Sequence, residues 1–134
     1  MATVSVRYIV RDVDEAIEFY VGQLGFEVVM HPAPPFAMLA RDDLRLLLSA
    51  PSGQGGGGQV LAGNRRPEPG GWNRFQVAVD DLEAEVARLR AAGVTMRSDI
   101  IRGMGGDQVL VEDPSGNPVE LFAQHDPDRD ARGT

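Results

Sequence analysis

Two short segments of this chain place hydrogen-bonding side chains where a ligand would meet them. "RFQVAV" (74–79) puts Arg74 and Gln76 on one face of a strand, and "NPVELF" (117–122) puts Glu120 and Phe122 on one face of another. The same period of two in "VSVRYIV" (4–10) sets Arg7 beside Ser5 and Ile9, and in "LRLLLS" (44–49) sets Arg45 beside Leu47 and Ser49. A guanidinium presents a planar fork that bonds a carboxylate or stacks on a flat ligand. A carboxylate on a half-buried sheet face needs a partner, and Arg74 or Arg7 is the natural one for Glu120. Such a pair has two readings, a satisfied charge or an arginine set against a planar ligand, and the sequence leaves both open. Trp72, Phe36 and Met38 add stacking and soft apolar surface.

Covalent chemistry finds little support. The chain has no cysteine, which removes disulfides, thiolate metal sites and a Cys nucleophile. There is no nucleophile-elbow pattern, and no histidine lies near a serine that strand parity would bring to this face. Glu120 is a lone candidate general base, without an electrophile to stabilise developing charge. The two histidines, His31 in "HPAPPF" and His125 at the start of the polar end, read as solvated loop and tail residues. No catalytic residue is assigned.

The elements that position these side chains come in two copies. "RDVDEAIEFYVGQLGF" (11–26) and "DDLEAEVARLRAAGVT" (80–95) are both amphipathic helices. Val13, Ile17, Tyr20 and Leu24 form one stripe, and Leu82, Val86 and Leu89 the other. Asp12 and Asp81 are expected N-caps, Glu15 stands where a capping box would place it, and Gly25 and Gly93 suit left-handed C-terminal caps. Each helix follows a strand and precedes an extended piece, "FEVVM" or "VTMRS", and a hairpin. The hairpins turn at Asp42-Asp43 and at the Pro-Ser-Gly-Asn cluster. The apolar parity sets face the helices: Val6, Tyr8 and Val10; Leu44, Leu46 and Leu48; Phe75, Val77 and Val79; Val119 and Leu121. The expectation is an α+β chain of two βαβββ modules with curved mixed sheets enclosing a ligand cup, by internal duplication. Its 134 residues form a single domain: module one 3–51, linker 52–72, module two 73–124, and a disordered tail 125–134.

Composition narrows the partners. A formal net charge of −7 argues against nucleic acid and anionic membrane, favours a neutral or cationic ligand, and also simply keeps a protein soluble. No apolar run reaches the roughly 20 residues a bilayer span needs. With no secretory signature in "MATVSVRYIV", a cytoplasmic location is the default expectation. The four-glycine run in 52–72 lacks the lysine of a phosphate-binding loop and reads as a mobile linker or a flap. "MHPAPPFAM" (30–38) reads as a rigid connection or a wall of the site, and "RGMGGD" (102–107) as a second loop bordering it.

"VRDVDEAIEFYVGQLGFEVV", "VDDLEAEVARLRAAGV" and "EDPSGNPVELF", in this order, resemble the vicinal oxygen chelate superfamily of glyoxalases, extradiol dioxygenases and bleomycin-resistance proteins. The resemblance covers roughly residues 4–124 and implies paired βαβββ modules and a homodimer. In metal-using relatives it implies ligands at positions that here carry Ser5, Leu47, Arg74 and Glu120. Of these only Glu120 suits a divalent cation. The resemblance is therefore closest to the metal-free binding proteins. The implied function is sequestration of an aromatic, drug-like natural product without metal or other cofactor, which is antibiotic resistance by binding. Expected ligand-binding residues are Arg7, Phe36, Met38, Arg45, Leu47, Trp72, Arg74, Gln76, Glu120 and Phe122. The alternatives are a glyoxalase- or dioxygenase-type enzyme with one divalent metal near Glu120, and a metal-free lyase or isomerase using Glu120 as base.

Overall fold

A computed structural model describes residues 4–52 and 57–125. The expected tail beyond His125 and residues 53–56 of the glycine run lie outside the described residues. Two compact units emerge. The first gathers the described residues up to Trp72 together with Asp113–Asn117, and the second gathers Asn73–Glu112 and the described residues from Pro118 on.

The first unit runs β1 (Val4–Ile9), α1 (Val13–Leu24), β2 (Glu27–Ala33), β3 (Phe36–Arg41) and β4 (Leu44–Ser49). Its sheet has the order β1-β4-β3-β2, with β1 parallel to β4 and the other pairs antiparallel. Asp12 caps α1, its carboxylate accepting from the Glu15 N–H at 3.1 Å. The Glu15 carboxylate accepts from Arg11 Nη2 at 2.8 Å, so the expected capping box gives way to an ion pair on the next-door side chain. Gly25 ends the helix at φ 73°, a left-handed conformation that favours glycine. The buried stripe is wider than expected: Ala16 and Phe19 join Val13, Tyr20 and Leu24, while Ile17 sits at its rim. β3 and β4 join through Asp42-Asp43, Asp42 adopting φ 52°. Leu39, Leu46 and Leu48 are fully buried, as strand parity requires.

The "HPAPPF" loop is shorter than its sequence implies. His31, Pro32 and Ala33 belong to β2, because β2 is an edge strand and an edge position leaves proline's missing N–H without consequence. Register shifts on both sides of Met30 accommodate it.

The Asp-Pro-Ser-Gly-Asn turn is gathered with this first unit through a polar latch. Asp113 is 3% exposed and accepts from the Tyr20 hydroxyl at 2.8 Å, the Asn117 amide at 3.0 Å, and the backbone N–H groups of Ser115 and Asn117 at 2.9 Å. Asn117 Nδ2 also donates to the Ile9 carbonyl at 2.7 Å. Burial, and then the Asp113 charge, push the Tyr20 phenol well above its usual value. The Tyr20 ring meets Phe19 and Phe26 edge-on, with centroids 5.0 and 5.4 Å away.

The second unit runs β5 (Gln76–Ala78), α2 (Leu82–Ala91), β6 (Thr95–Met96), β7 (Ile101–Arg102), β8 (Gly106–Glu112) and β9 (Pro118–Gln124). β5 lies parallel to β9, β9 antiparallel to β8, and both β6 and β7 pair with β8. This repeats the first unit, with β5, β8 and β9 in the places of β1, β3 and β4. The place of β2 is split between β6 and β7. "VTMRS" ends as a strand after Met96 because the N–H groups of Arg97 and Ser98 both turn onto the Leu110 carbonyl. Asp81 caps α2 by accepting from the Ala84 N–H at 3.1 Å. Gly93, at φ 80°, and Val94 close the other end on the carbonyls of Arg90 and Leu89. This is a Schellman arrangement, one residue beyond the C-cap Ala92. Leu82, Val86 and Leu89 share the buried core of this unit with Val77, Val109, Val111, Val119 and Leu121. The chain is thus α+β, with two mixed sheets and two helices. No described helix is long and apolar enough to cross a membrane.

Candidate functional site

The sheet face turned away from each helix carries the polar chemistry. In the first unit, strand register lays that face out as a grid. One row reads Arg7, Leu47, Met38, Met30; the next reads Ser5, Arg45, Ala40, Glu27; and Ile9, Ser49 and Phe36 lie on the other side. Five expected ligand-binding residues, Arg7, Phe36, Met38, Arg45 and Leu47, therefore share one surface. Phe36, Met38, Arg45 and Leu47 are half-buried and Arg7 is exposed.

In the second unit the corresponding face holds Gln76, Glu120 and Leu110 in one row, and Ala78, Phe122, Gln108 and Ile101 in the next. Glu120 is clamped there. Its Oε1 accepts from Arg74 Nε at 3.0 Å and its Oε2 from Gln76 Nε2 at 2.6 Å. Only 13% of the Glu120 side chain and 29% of the Arg74 side chain are exposed, so the pair is partly desolvated. Of the two partners expected for Glu120, Arg74 takes the role and Arg7 lies in the other unit. Phe122 lays its ring over Gly106, where an added Cβ would collide with the ring and with the Ala123 carbonyl. Trp72 stands outside both sheets and is 70% exposed.

Gln108 escaped the sequence reading. Its Oε1 is buried and lacks a hydrogen-bond partner among the described residues. The signal was present: counting back in twos across the Asp-Pro-Ser-Gly-Asn hairpin places Gln108 opposite Phe122 on the same face. Met30 escaped it too, because "HPAPPF" hid the continuation of β2.

The histidines differ from the expectation. His31 is an exposed strand residue 3.8 Å from Asp14. His125 is tied down: its Nε2 lies 3.1 Å from Asp107 Oδ1 and its N–H donates to the Gly105 carbonyl. Asp107 also takes Arg102, which bridges to Glu83. Burial pulls the Asp107 carboxyl upward, but the hydrogen bonds from Arg102 and His125 prevail and hold it below its usual value. The second glycine-rich loop is anchored by this network, on the side of β8 opposite Gln108.

A cavity of about 430 Å³ lined by Gly25, Glu27, Ala40, Arg41 and Asp42 includes none of the expected ligand-binding residues. It opens beside the end of α1, and its walls are charged surface groups rather than a ligand-sized apolar lining.

Of the four family ligand positions, Ser5 and Leu47 fall in the first unit, and Arg74 and Glu120 in the second. Arg74 brings a fixed positive charge against the only carboxylate, whose two oxygens already accept protein donors. This donor set does not fit a divalent cation. No group of three or more His, Cys, Asp or Glu among the described residues is placed to hold a metal ion.

Residues 3–121 match the family described as the Glyoxalase/Bleomycin resistance protein/Dioxygenase superfamily. No curated protein matches the chain. Among solved structures, a member of that superfamily from Sphaerobacter thermophilus DSM 20745 is 26% identical with a TM-score of 0.72, over 92% of this chain and 98% of that one. TnmS3, an antibiotic binding protein from Streptomyces sp. CB03234, is 23% identical with a TM-score of 0.69, over 93% and 98%. A lactoylglutathione lyase from Agrobacterium tumefaciens is 24% identical with a TM-score of 0.69, over 91% and 92%. The last two likenesses speak for the fold alone, and an enzyme and a binder share it equally. From residue pattern, strand topology and family match together, the chain belongs to the glyoxalase/bleomycin resistance protein/dioxygenase superfamily.

Proposed function

We propose that this protein is a metal-free small-molecule binder that sequesters an aromatic, drug-like natural product and so confers resistance by binding. The observation that carries the reading is the clamp on Glu120. At one of the positions where the family resemblance implies a cation ligand this chain carries Arg74, which with the neighbouring Gln76 engages both oxygens of Glu120. On the same face lie half-buried Phe122 and Gln108, an aromatic ring and an amide of the kind a sequestering protein needs. An antibiotic binding protein has the same fold, so the scaffold can host a binder of this kind. The proposal includes a cytoplasmic homodimer, for which light scattering should give twice the mass of one chain.

Two measurements on the purified chain test the function. Elemental analysis should find no stoichiometric transition metal, and the fluorescence of Trp72, the only tryptophan, should respond to at least one member of a panel of aromatic antibiotics. The bound compound should be recovered unchanged after long incubation. One metal per chain, lost in Glu120→Ala, would replace this reading with a metalloenzyme, and conversion of the compound would replace it with a lyase or isomerase.

A further inference from the structure

We infer that the ligand is a planar aromatic anion and that Arg7 and Arg45 bind its acidic group. This deepens the proposed function and rests on it. Every other arginine on a described helix or strand has a carboxylate within reach: Arg41 at 3.6 Å, Arg88 at 2.7 Å, Arg90 at 3.3 Å, and Arg102 at 2.8 Å. Arg7 and Arg45 make no ion pair among the described residues, although acids outnumber bases 20 to 13 in the chain. These two avoid acids together, on the same face of adjacent strands.

Register shows how they sit. Arg45 pairs with Ser5, and Arg7 pairs with Leu47, two residues further along β4. Strand spacing and rise put their Cα atoms roughly 8 Å apart on one face, within reach of two long side chains converging on one group. Arg45 is half-buried and flanked across the sheet by Ser5 and Ala40, neither of which can neutralise it, and Glu27, the next residue of that row, makes no ion pair with it. Beside Arg7 run Leu47 and Met38, with Phe36 one row away, an apolar floor the width of a ring system. The Arg7 guanidinium packs directly against Gly57, where any Cβ would collide with it. This backbone contact supplies no counter-charge.

A guanidinium pair that makes no ion pair among the described residues recognises a carboxylate or another oxyanion by charge-assisted hydrogen bonds, and the ring bearing that group lies on the sulfur and aliphatic floor. The net charge of −7 points the other way, toward cationic ligands. It acts over a distance that physiological salt cuts to about 8 Å, so the local pair decides which ligand is held, while the global field only slows its approach.

The test compares 2-naphthoate with its uncharged methyl ester by NMR titration of the full chain. The acid is expected to bind about 10-fold tighter or more, the usual weight of hydrogen bonds to charged groups. Arg7→Gln and Arg45→Gln should each remove most of that preference, Arg45→Lys should retain part of it, and Arg66→Gln in the exposed loop should leave it unchanged. Thermal melts of each variant should lie close to the parent, since no ion pair among the described residues is lost. Equal binding of acid and ester, or a preference that survives both glutamine variants or falls equally in Arg66→Gln, overturns the inference and leaves the binding function standing. Failure of both naphthalenes and of the whole aromatic antibiotic panel to bind removes the proposed function and this inference with it.

Discussion

The two sheets were built by one repeated pattern, yet their open faces differ in what they do with charge. On the second, Arg74 is bonded to Glu120, which is also held by Gln76, and the face is close to neutral. On the first, Arg7 and Arg45 make no ion pair among the described residues, beside Leu47 and Met38. The first unit has a satisfied carboxylate as well, but keeps it elsewhere: Asp113 is buried in the latch with Tyr20 and Asn117. A duplicated fold therefore need not have duplicated sites. The backbone repeats because helix stripe and strand parity repeat, whereas the side chains on the open faces are free of that constraint and have diverged.

The largest effect should come from the buried carboxylate. Asp113→Ala leaves the Tyr20 hydroxyl, the Asn117 amide and two backbone donors without their acceptor, and should cost about 3 kcal/mol in urea unfolding. Tyr20→Phe removes one bond of that set and should cost about 1 kcal/mol. The same latch sets the basic limb of stability. The folded Tyr20 phenol ionises later than the unfolded one, so stability is complete below the ordinary tyrosine value and falls as pH rises past it. Tyr20→Phe should flatten that limb.

Next comes the clamp. Glu120→Ala strands a partly desolvated Arg74 and should lower stability by about 1–2 kcal/mol, less than Asp113→Ala because the pair retains contact with water. If Arg7→Gln or Arg45→Gln cost as much in thermal melts, the contrast between the two faces would be lost. Smallest is the acid limb from Asp107. Its folded value lies below its unfolded one, so its contribution is present above the ordinary carboxylate range and is lost as pH falls. Asp107→Asn should lower the melting temperature slightly at neutral pH, where that contribution is present, match the parent more closely toward pH 3, and so reduce the slope of the decline.

Much of this was legible in the residues. Caps at Asp12 and Asp81, the Leu82-Val86-Leu89 stripe and the parity of Leu46 against Leu47 are local facts with one solution each, and the structure follows them. The partner of Glu120 was narrowed to two arginines but not chosen, since that depends on which strand lies beside β9. Three features were hidden. His31 and Pro32 look like a loop because proline is poor in a sheet, and only an edge position makes it harmless. The break after Met96 depends on one carbonyl, that of Leu110, taking two donors. The Asp-Pro-Ser-Gly-Asn segment reads as a turn from its own residues, but its role as a latch depends on Tyr20, 93 positions away.

The most direct test of the contrast is to follow the arginine Nε–Hε signals of the full chain while adding 2-naphthoate. In the free protein, Arg74 should give a protected, slowly exchanging signal from its bond to Glu120, while Arg7 and Arg45 exchange quickly with water. On titration, the Arg7 and Arg45 signals should shift and sharpen and that of Arg74 should stay in place. Movement of Arg74 with Arg7 and Arg45 unaffected would contradict the account, assigning the ligand's acidic group to the second face and leaving the first without a role.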